Sequence, residues 1–173
     1  SKYLGYNKDN IITMIINPAS AGKYESFKNE LLTIPSVEGV TLSQNLPNQI
    51  GSSTSGLDWE GRDPDETALF SNTGVSFDYI EVFGINLVEG RSWAPNLATD
   101  SSGILINQEA VRVMGLDNPV GSKLTVWGNN VEIIGVMEDF NFTSLKHKVQ
   151  PLFLFIGRNW LYRVSIRIST DDI

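Results

Sequence analysis

The sequence predicts a mixed α+β fold, and three observations carry that reading. Runs of β-branched and large apolar residues, such as residues 11–16 and 152–156, have the length and composition of strands. Between the strand patterns lie short stretches of helical periodicity, the first marked by Tyr24, Phe27, Leu31 and Leu32. A hairpin pattern sets Leu124, Val126 and Trp127 against Val131, Ile133 and Ile134 across a turn at Gly128, Asn129 and Asn130. At 173 residues the chain is long enough for one full core or for two small lobes sharing a connection.

The elements follow in order. Residues 11–16 read as a buried strand that ends at Asn17 and Pro18. A helix follows over Tyr24 to Leu32, with Pro35 just beyond its end. Val40, Leu42 and Leu46 suggest an extended stretch after Gly39, so the opening is strand–helix–strand. Residues 48–66 are polar and rich in Gly, Ser and Asp, and are expected to form an irregular loop around Trp59. A strand is expected over residues 67–71. A short helix is expected over residues 78–83, where Tyr79, Ile80 and Phe83 share a face. Residues 84–90 read as a turn-bounded extended segment, and 91–100 as loop.

The clearest stretch begins at Gly103. A short strand runs into Asn107, a good N-cap, and residues 108–114 form a helix whose apolar face is Ala110, Val111 and Met114. Gly115 stands where a left-handed C-terminal cap belongs. Asn118, Pro119 and Gly121 make the turn that launches the hairpin, and two strands follow over 152–156 and 161–168. The final Ser169-Thr170-Asp171-Asp172 has the character of a helix start, so another helix is expected to begin where the sequence stops. There is no internal repeat and no low-complexity tract.

Composition excludes several classes of function. With 41% hydrophobic and 19% charged residues, enough apolar surface exists to offset chain entropy, which argues against global disorder. A net charge of -7 and the lack of any Lys/Arg cluster beyond Lys146, His147 and Lys148 argue against nucleic acid or an anionic membrane as partner. The absence of cysteine removes thiolate zinc sites, iron–sulfur clusters, thiol nucleophiles and disulfides. The longest apolar runs fall far short of the roughly 20 residues a membrane-spanning helix requires. No signal-peptide pattern is present and the chain starts without Met, which reads as a soluble piece of something larger.

Candidate chemistry is sparse. Residues 17–24, N-P-A-S-A-G-K-Y, sit between strand and helix like a phosphate-binding loop. Yet Asn17 replaces the first Gly, Tyr24 replaces the magnesium-holding Ser/Thr, and Pro18 removes a backbone donor. Ser20 and Lys23 match S-x-x-K, but no S-D-N or K-T-G element accompanies them. Ser144 with His147, the single histidine, and Asp139 could be imagined as a triad, but no nucleophile elbow surrounds Ser144. The acidic loop of Asp58, Glu60, Asp63, Asp65 and Glu66 could offer oxygens to calcium but lacks the EF-hand register and contains Arg62. Glu138 and Asp139 are adjacent on an expected strand and would point to opposite faces, which suits neither for paired acid–base work. Asn141-Phe142-Thr143 fits a glycosylation sequon, but Phe140 and Phe142 suggest a packed segment instead. No catalytic residue, cofactor-binding residue or metal ligand is therefore assigned. Trp59 and Trp93 are the candidate interaction surface, and Trp127 and Trp160 share the residue type favoured at such surfaces.

Two stretches carry a family resemblance. The first is F-G-I-N-L-V-E-G-R at residues 83–91, with Asp78 and Tyr79 just before it. The second runs G-I-L-I-N-Q-E-A-V-R-V-M-G-L over residues 103–116, then N-P-V-G at 118–121 and I-I-G-V-M-E-D-F-N-F-T-S-L at 133–145, with Pro151 shortly after. In order and spacing these resemble the MacB-like periplasmic core domain, found between the first two transmembrane helices of FtsX-like ABC-transporter permeases. The opening L-G-Y-N-K-D-N, residues 4–10, is similar to the segment just outside the first membrane helix of such permeases.

The resemblance implies a two-lobed α+β domain. A porter-like lobe would comprise residues 1–75 and 150–173, incomplete at its C-terminus, and an inserted Sabre-like lobe residues 76–149. It also implies a periplasmic segment of an inner-membrane protein that is not an enzyme and binds no ATP or other cofactor. The implied partners are a cytoplasmic ATP-binding subunit acting through the membrane part, a second copy of the permease, and a periplasmic adaptor or cargo. The competing expectations are a periplasmic binding module for a peptide, lipoprotein or small amphiphile, with the Trp-bearing loops as its mouth, and a hydrolase built on Ser144 or an acidic pair.

Overall fold

The structure, a computed structural model, describes residues 5–17, 22–142, 148–159 and 161–169. Its strands are β1 (Ile11–Ile15), β2 (Val37–Ser43), β3 (Ser53–Thr54), β4 (Leu57–Trp59), β5 (Phe70–Val75), β6 (Leu87–Gly90), β7 (Gly103–Asn107), β8 (Lys123–Val126), β9 (Asn129–Met137), β10 (Leu152–Ile156) and β11 (Arg163–Ile168). Three α-helices, α1 (Tyr24–Leu31), α2 (Tyr79–Phe83) and α3 (Gln108–Met114), and a 3-10 helix over Ala98–Ser102 complete the described elements.

All eleven strands join one mixed sheet in the order β1-β11-β2-β5-β10-β7-β9-β8-β4, with β3 on β5 and β6 on β9 as side branches. The opening strand–helix–strand is split. β11 lies between β1 and β2 and runs antiparallel to both, pairing Ile11 with Arg167 and Thr41 with Ser165. β10 fills the second gap, parallel to β5 and antiparallel to β7. The sheet therefore runs without a break past the expected lobe limits, and β4 pairs with β8 across them.

Three apolar clusters support the sheet. One holds Tyr79, Phe83, Trp93, Leu105, Met137, Phe140 and Phe142, and a second holds Trp59, Phe70, Ile106, Ala110, Leu124 and Phe153. The third packs Tyr24 of α1 on Val40, Leu42, Val164 and Ile166. The short helices are set by their ends. Asn107 Oδ1 accepts the Ala110 N–H at 3.0 Å and the Leu152 N–H at 2.8 Å, so one side chain caps α3 and anchors the start of β10. Gly115 closes the same helix at φ 67°, the left-handed cap expected there.

Four sequence expectations are corrected. Residues 11–15 form a strand, but an exposed one at the sheet edge, with Ile12, Met14 and Ile15 at 50, 41 and 68% exposure. A β-branched run fits a strand anywhere in a sheet, and only β11 covers this one. The loop over 48–66 contains β3 and β4, which are too short to give a period. The strand expected at 67–71 runs instead over Phe70–Val75, where Asn72 and Thr73 are buried polar residues that break the apolar pattern. The hairpin turn is Trp127-Gly128, and Asn129 and Asn130 belong to β9. Both turn residues have positive φ, 48° and 79°, as a type I′ turn requires. Asn-Gly is the favoured pair there, so a Trp in this left-handed position carries strain of about 1–2 kcal/mol.

Gly90 sits at φ 72°, and a Cβ there would meet the Ile134 carbonyl oxygen at 2.3 Å, whereas Gly115 has a similar φ but open space around it. Gly90→Ala should therefore cost about 3 kcal/mol and Gly115→Ala only about 1 kcal/mol, the second being conformational strain alone. Denaturant midpoints of the two variants against the parent check this, and equal losses would mean that the close approach of β6 and β9 has no weight.

Candidate functional site

Side-chain and backbone hydrogen bonds converge where the start of β1 meets the end of β11. The Ile168 N–H donates to the Asn10 carbonyl at 2.9 Å, and the Ser169 N–H to that of Ser36 at 2.8 Å. Arg167 binds three carbonyl groups from two segments: Nε to Val82 of α2 at 2.7 Å, and Nη2 to Asn7 at 3.0 Å and Nη1 to Asp9 at 3.3 Å before β1. A planar guanidinium with five donors suits such a junction, where an ammonium could not keep the same directions. The Asn7 N–H donates to the Phe83 carbonyl at the end of α2. Tyr6 is buried, its ring 6.0 Å from Phe140. Gly5 is required beside it, since a Cβ would come within 2.5 Å of the Phe140 Cβ. Residues 5–10, α2 and the end of β11 are thus bound together.

A second fixed feature is the loop between β6 and β7. Arg91 and Asp100 form a two-pronged ion pair at 2.6 and 2.8 Å, and Asp100 also accepts the Ala94 N–H at 2.6 Å. Asp100 is 1% exposed, and the hydrogen bonds from Arg91 hold its carboxyl below the usual carboxylate range despite burial. Asp139 is shifted the other way. Burial raises it, against the Glu109 N–H that it accepts at 2.9 Å.

The tryptophans divide by role. Trp59 is buried against Phe70 and donates its indole N–H to the Met114 carbonyl at 3.1 Å, with Arg62 stacked 5.4 Å from the ring. Trp93 is buried and donates to the Gly103 carbonyl at 2.8 Å. Both rings are therefore occupied inside the fold, and neither forms an open surface in the chain by itself. Among the described residues the exposed indole is Trp127, at 50% exposure. The sequence pattern did not separate it from the others, because its display depends on the left-handed turn. Trp160 lies outside the described residues.

The remaining candidates are dispersed. In the phosphate-loop pattern, residues 18–21 lie outside the described residues, and Tyr24, in the magnesium-holding position, is a core residue. Ser20 of S-x-x-K is likewise outside, as are Ser144 and His147. Of the acidic loop, Glu66 accepts the Ala68 N–H, Asp63 accepts the Asp65 N–H, and Asp58 faces Arg62 at 3.7 Å. Among the described residues no group of three or more His, Cys, Asp or Glu is placed to hold a metal ion. Glu138 accepts from Asn86 and Asp139 from the Glu109 N–H, so the two carboxylates serve separate partners. Phe142 of the glycosylation sequon is buried, and its Thr143 lies outside the described residues.

These features define a class: a mixed-sheet domain in which residues near both described ends, Asn10 and Ile168, are paired, with no group of metal ligands assembled among the described residues. The family model of the MacB-like periplasmic core domain matches residues 3–164, and the chain belongs to that family. It is 24% identical over 166 residues to the uncharacterized ABC transporter permease YknZ of Bacillus subtilis (strain 168), covering 91% of this chain and 40% of that protein. The chain thus spans well under half the length of that curated relative. Among solved structures, the fold is similar to the periplasmic region of MacB from Actinobacillus actinomycetemcomitans (TM-score 0.62, 19% identity, 98% of this chain and 78% of that one). It is also similar to the extracellular domain of the noncanonic ABC-type transporter YknZ from Gram-positive bacteria (TM-score 0.61, 18% identity, 94% and 86%). A domain of a putative permease from Porphyromonas gingivalis matches less fully (TM-score 0.54, 20% identity, 81% and 60%). Among the described residues no helix is long and apolar enough to cross a membrane.

Two variants test this geometry. Asp100 has a depressed folded-state pKa, so its charge contributes stability that is fully present above about pH 4 and is lost as pH falls through the folded value. Asp100→Asn should cost about 2 kcal/mol at neutral pH, with the difference from the parent shrinking below about pH 4, as read from urea midpoints across pH. Arg167→Met should leave the fold intact while the Asn7 and Ile168 amides exchange hydrogen about tenfold faster, measured by native-state exchange.

Proposed function

We propose that this chain is the periplasmic domain of an ABC-transporter permease of the inner membrane. In this reading it transmits, outside the membrane, the conformational change produced when a cytoplasmic partner subunit hydrolyses ATP. The observation that carries the proposal is the pairing of Asn10 with Ile168 and of Ile11 with Arg167, which brings the first and last strands of the described chain together where one begins and the other ends. A domain strung between two membrane helices needs its ends on the same side, toward one bilayer. Arg167 supports the reading further, because a junction held by three carbonyl contacts passes a displacement of either end into the sheet and α2 together.

The proposal includes a permease homodimer, with the two domains moving relative to each other as export or mechanical signalling proceeds, and a periplasmic adaptor or cargo as the object moved. The domain itself performs no reaction. Residues 1–75 and 150–173 are assigned to a porter-like lobe and 76–149 to an inserted Sabre-like lobe, with β10 as the strand shared between them. Such a joint can rock without unpairing the sheet, by small shear between packed layers.

This chain has no cysteine of its own, so one introduced here is the single labelling site within the domain, and any cysteine elsewhere in the permease is first replaced. A single spin label at exposed Lys123, placed in each copy of the full-length permease in membranes with its ATP-binding subunit, reports the distance between the two domains. A shift in that distance between ATP-trapped and ADP-bound states is expected. A transporter that hydrolyses ATP with an unchanged distance in every nucleotide state would sink the proposal.

A further inference from the structure

Trp127 is held where a turn residue should be small. Its backbone is left-handed at φ 48°, its N–H donates to the Gly56 carbonyl at 2.9 Å, and its indole N–H donates to Thr54 Oγ1 at 3.1 Å. Gly56 leaves room for the ring, since a Cβ there would come within 2.9 Å of the indole. The ring packs on Phe153 and Phe155, with centroids 5.7 and 5.4 Å away, and remains half exposed. Local strain that surrounding contacts fix in place is characteristic of sites with a task, and the fold would be served as well by Asn in this turn.

Beside the ring lies an open cleft of about 370 Å³ with Phe153, Phe155 and Ile156 on its apolar side. Its polar rim includes Asn129, Asn159 and Arg158. Arg158 is exposed and makes no ion pair among the described residues. Among the described residues no carboxylate lines the cleft, although the chain carries 20 acidic residues against 13 basic ones. The cleft is thus an aromatic hollow with, among the described residues, one cation at its edge that makes no ion pair, on a chain of net charge -7.

We propose that this cleft binds a small amphiphilic anion: a flat aromatic or short alkyl body stacked on Trp127 over Phe155, with one acidic group at Arg158. The size limits the body to one or two rings or a short chain, within the range of small-molecule sites. Asn129 and Asn159 can donate to the acidic group or accept from a polar substituent. The inference does not depend on the transmission reading, because the site lies within a single chain and needs neither ATP nor a second copy.

Naphthalenesulfonate is a suitable probe, compared with neutral naphthylmethanol and cationic naphthylmethylammonium. Titrated into the chain, the sulfonate should move the Trp127 indole N–H resonance saturably. The Trp59 signal, whose indole N–H donates to the Met114 carbonyl outside the cleft lining, should stay fixed. Arg158→Gln should weaken the sulfonate about fivefold and leave the alcohol unchanged. Trp127→Asn supplies the favoured Asn-Gly turn, so the fold survives while all three probes lose saturable binding. Absence of a saturable shift with the sulfonate, equal affinity for anion and cation, or undiminished binding to a folded Trp127→Asn variant would each overturn the proposal.

Discussion

Two gaps in the sheet are filled by strands from the last part of the chain, and the rest of the structure depends on this. Without β11, β1 has no partner and the backbone groups of β2 lose their main ladder. Without β10, β5 and β7 face each other across an empty lane. Unpaired N–H and C=O groups in a buried position each cost as much as a lost hydrogen bond or more, so the sheet holds only when both late strands are in place. Asn107 links this requirement to the helical side, because the oxygen that caps α3 also receives the first N–H of β10.

Side-chain chemistry concentrates where the chain must be pinned and the ladder cannot do it. Arg167 ties the entering segment to the leaving strand, and Arg91 with Asp100 closes a loop that has no strand of its own. The charges differ in weight. The pair between Arg112 and Glu109 on α3 is exposed on its arginine side and contributes little, as surface pairs do. Asp100 is enclosed, so removing its partner would leave a charge without solvent.

Much of the fold was legible in the sequence where local rules act alone. Asn107 and Gly115 bracket α3, and Tyr79, Ile80 and Phe83 mark α2, because caps and periodicity need no distant partner. The exposure of β1 was not legible, since the same Ile-rich run suits a central or an edge strand and only its neighbours decide. β5 was misplaced because its buried Asn72 and Thr73 read as loop residues, while their position is set by the strands beside them. At the candidate site the tryptophans were visible as a residue type, but which of them faces water depended on a turn shifted toward Trp127. The convergence on Arg167 could not have been found from the sequence, because its acceptors are carbonyl groups at residues 7, 9 and 82.

The placement of β11 also governs how the protein can be made. Roughly 120 residues separate the end of β2 from the start of the strand that pairs with it, which at ribosomal speed is a delay of about 6–24 s. During that interval the apolar faces of β1 and β2 have no sheet to join, and long-range pairing of this kind is intrinsically slow to form. Any factor that shielded β1 and β2 during that interval would lengthen the time in which the late strands can find them.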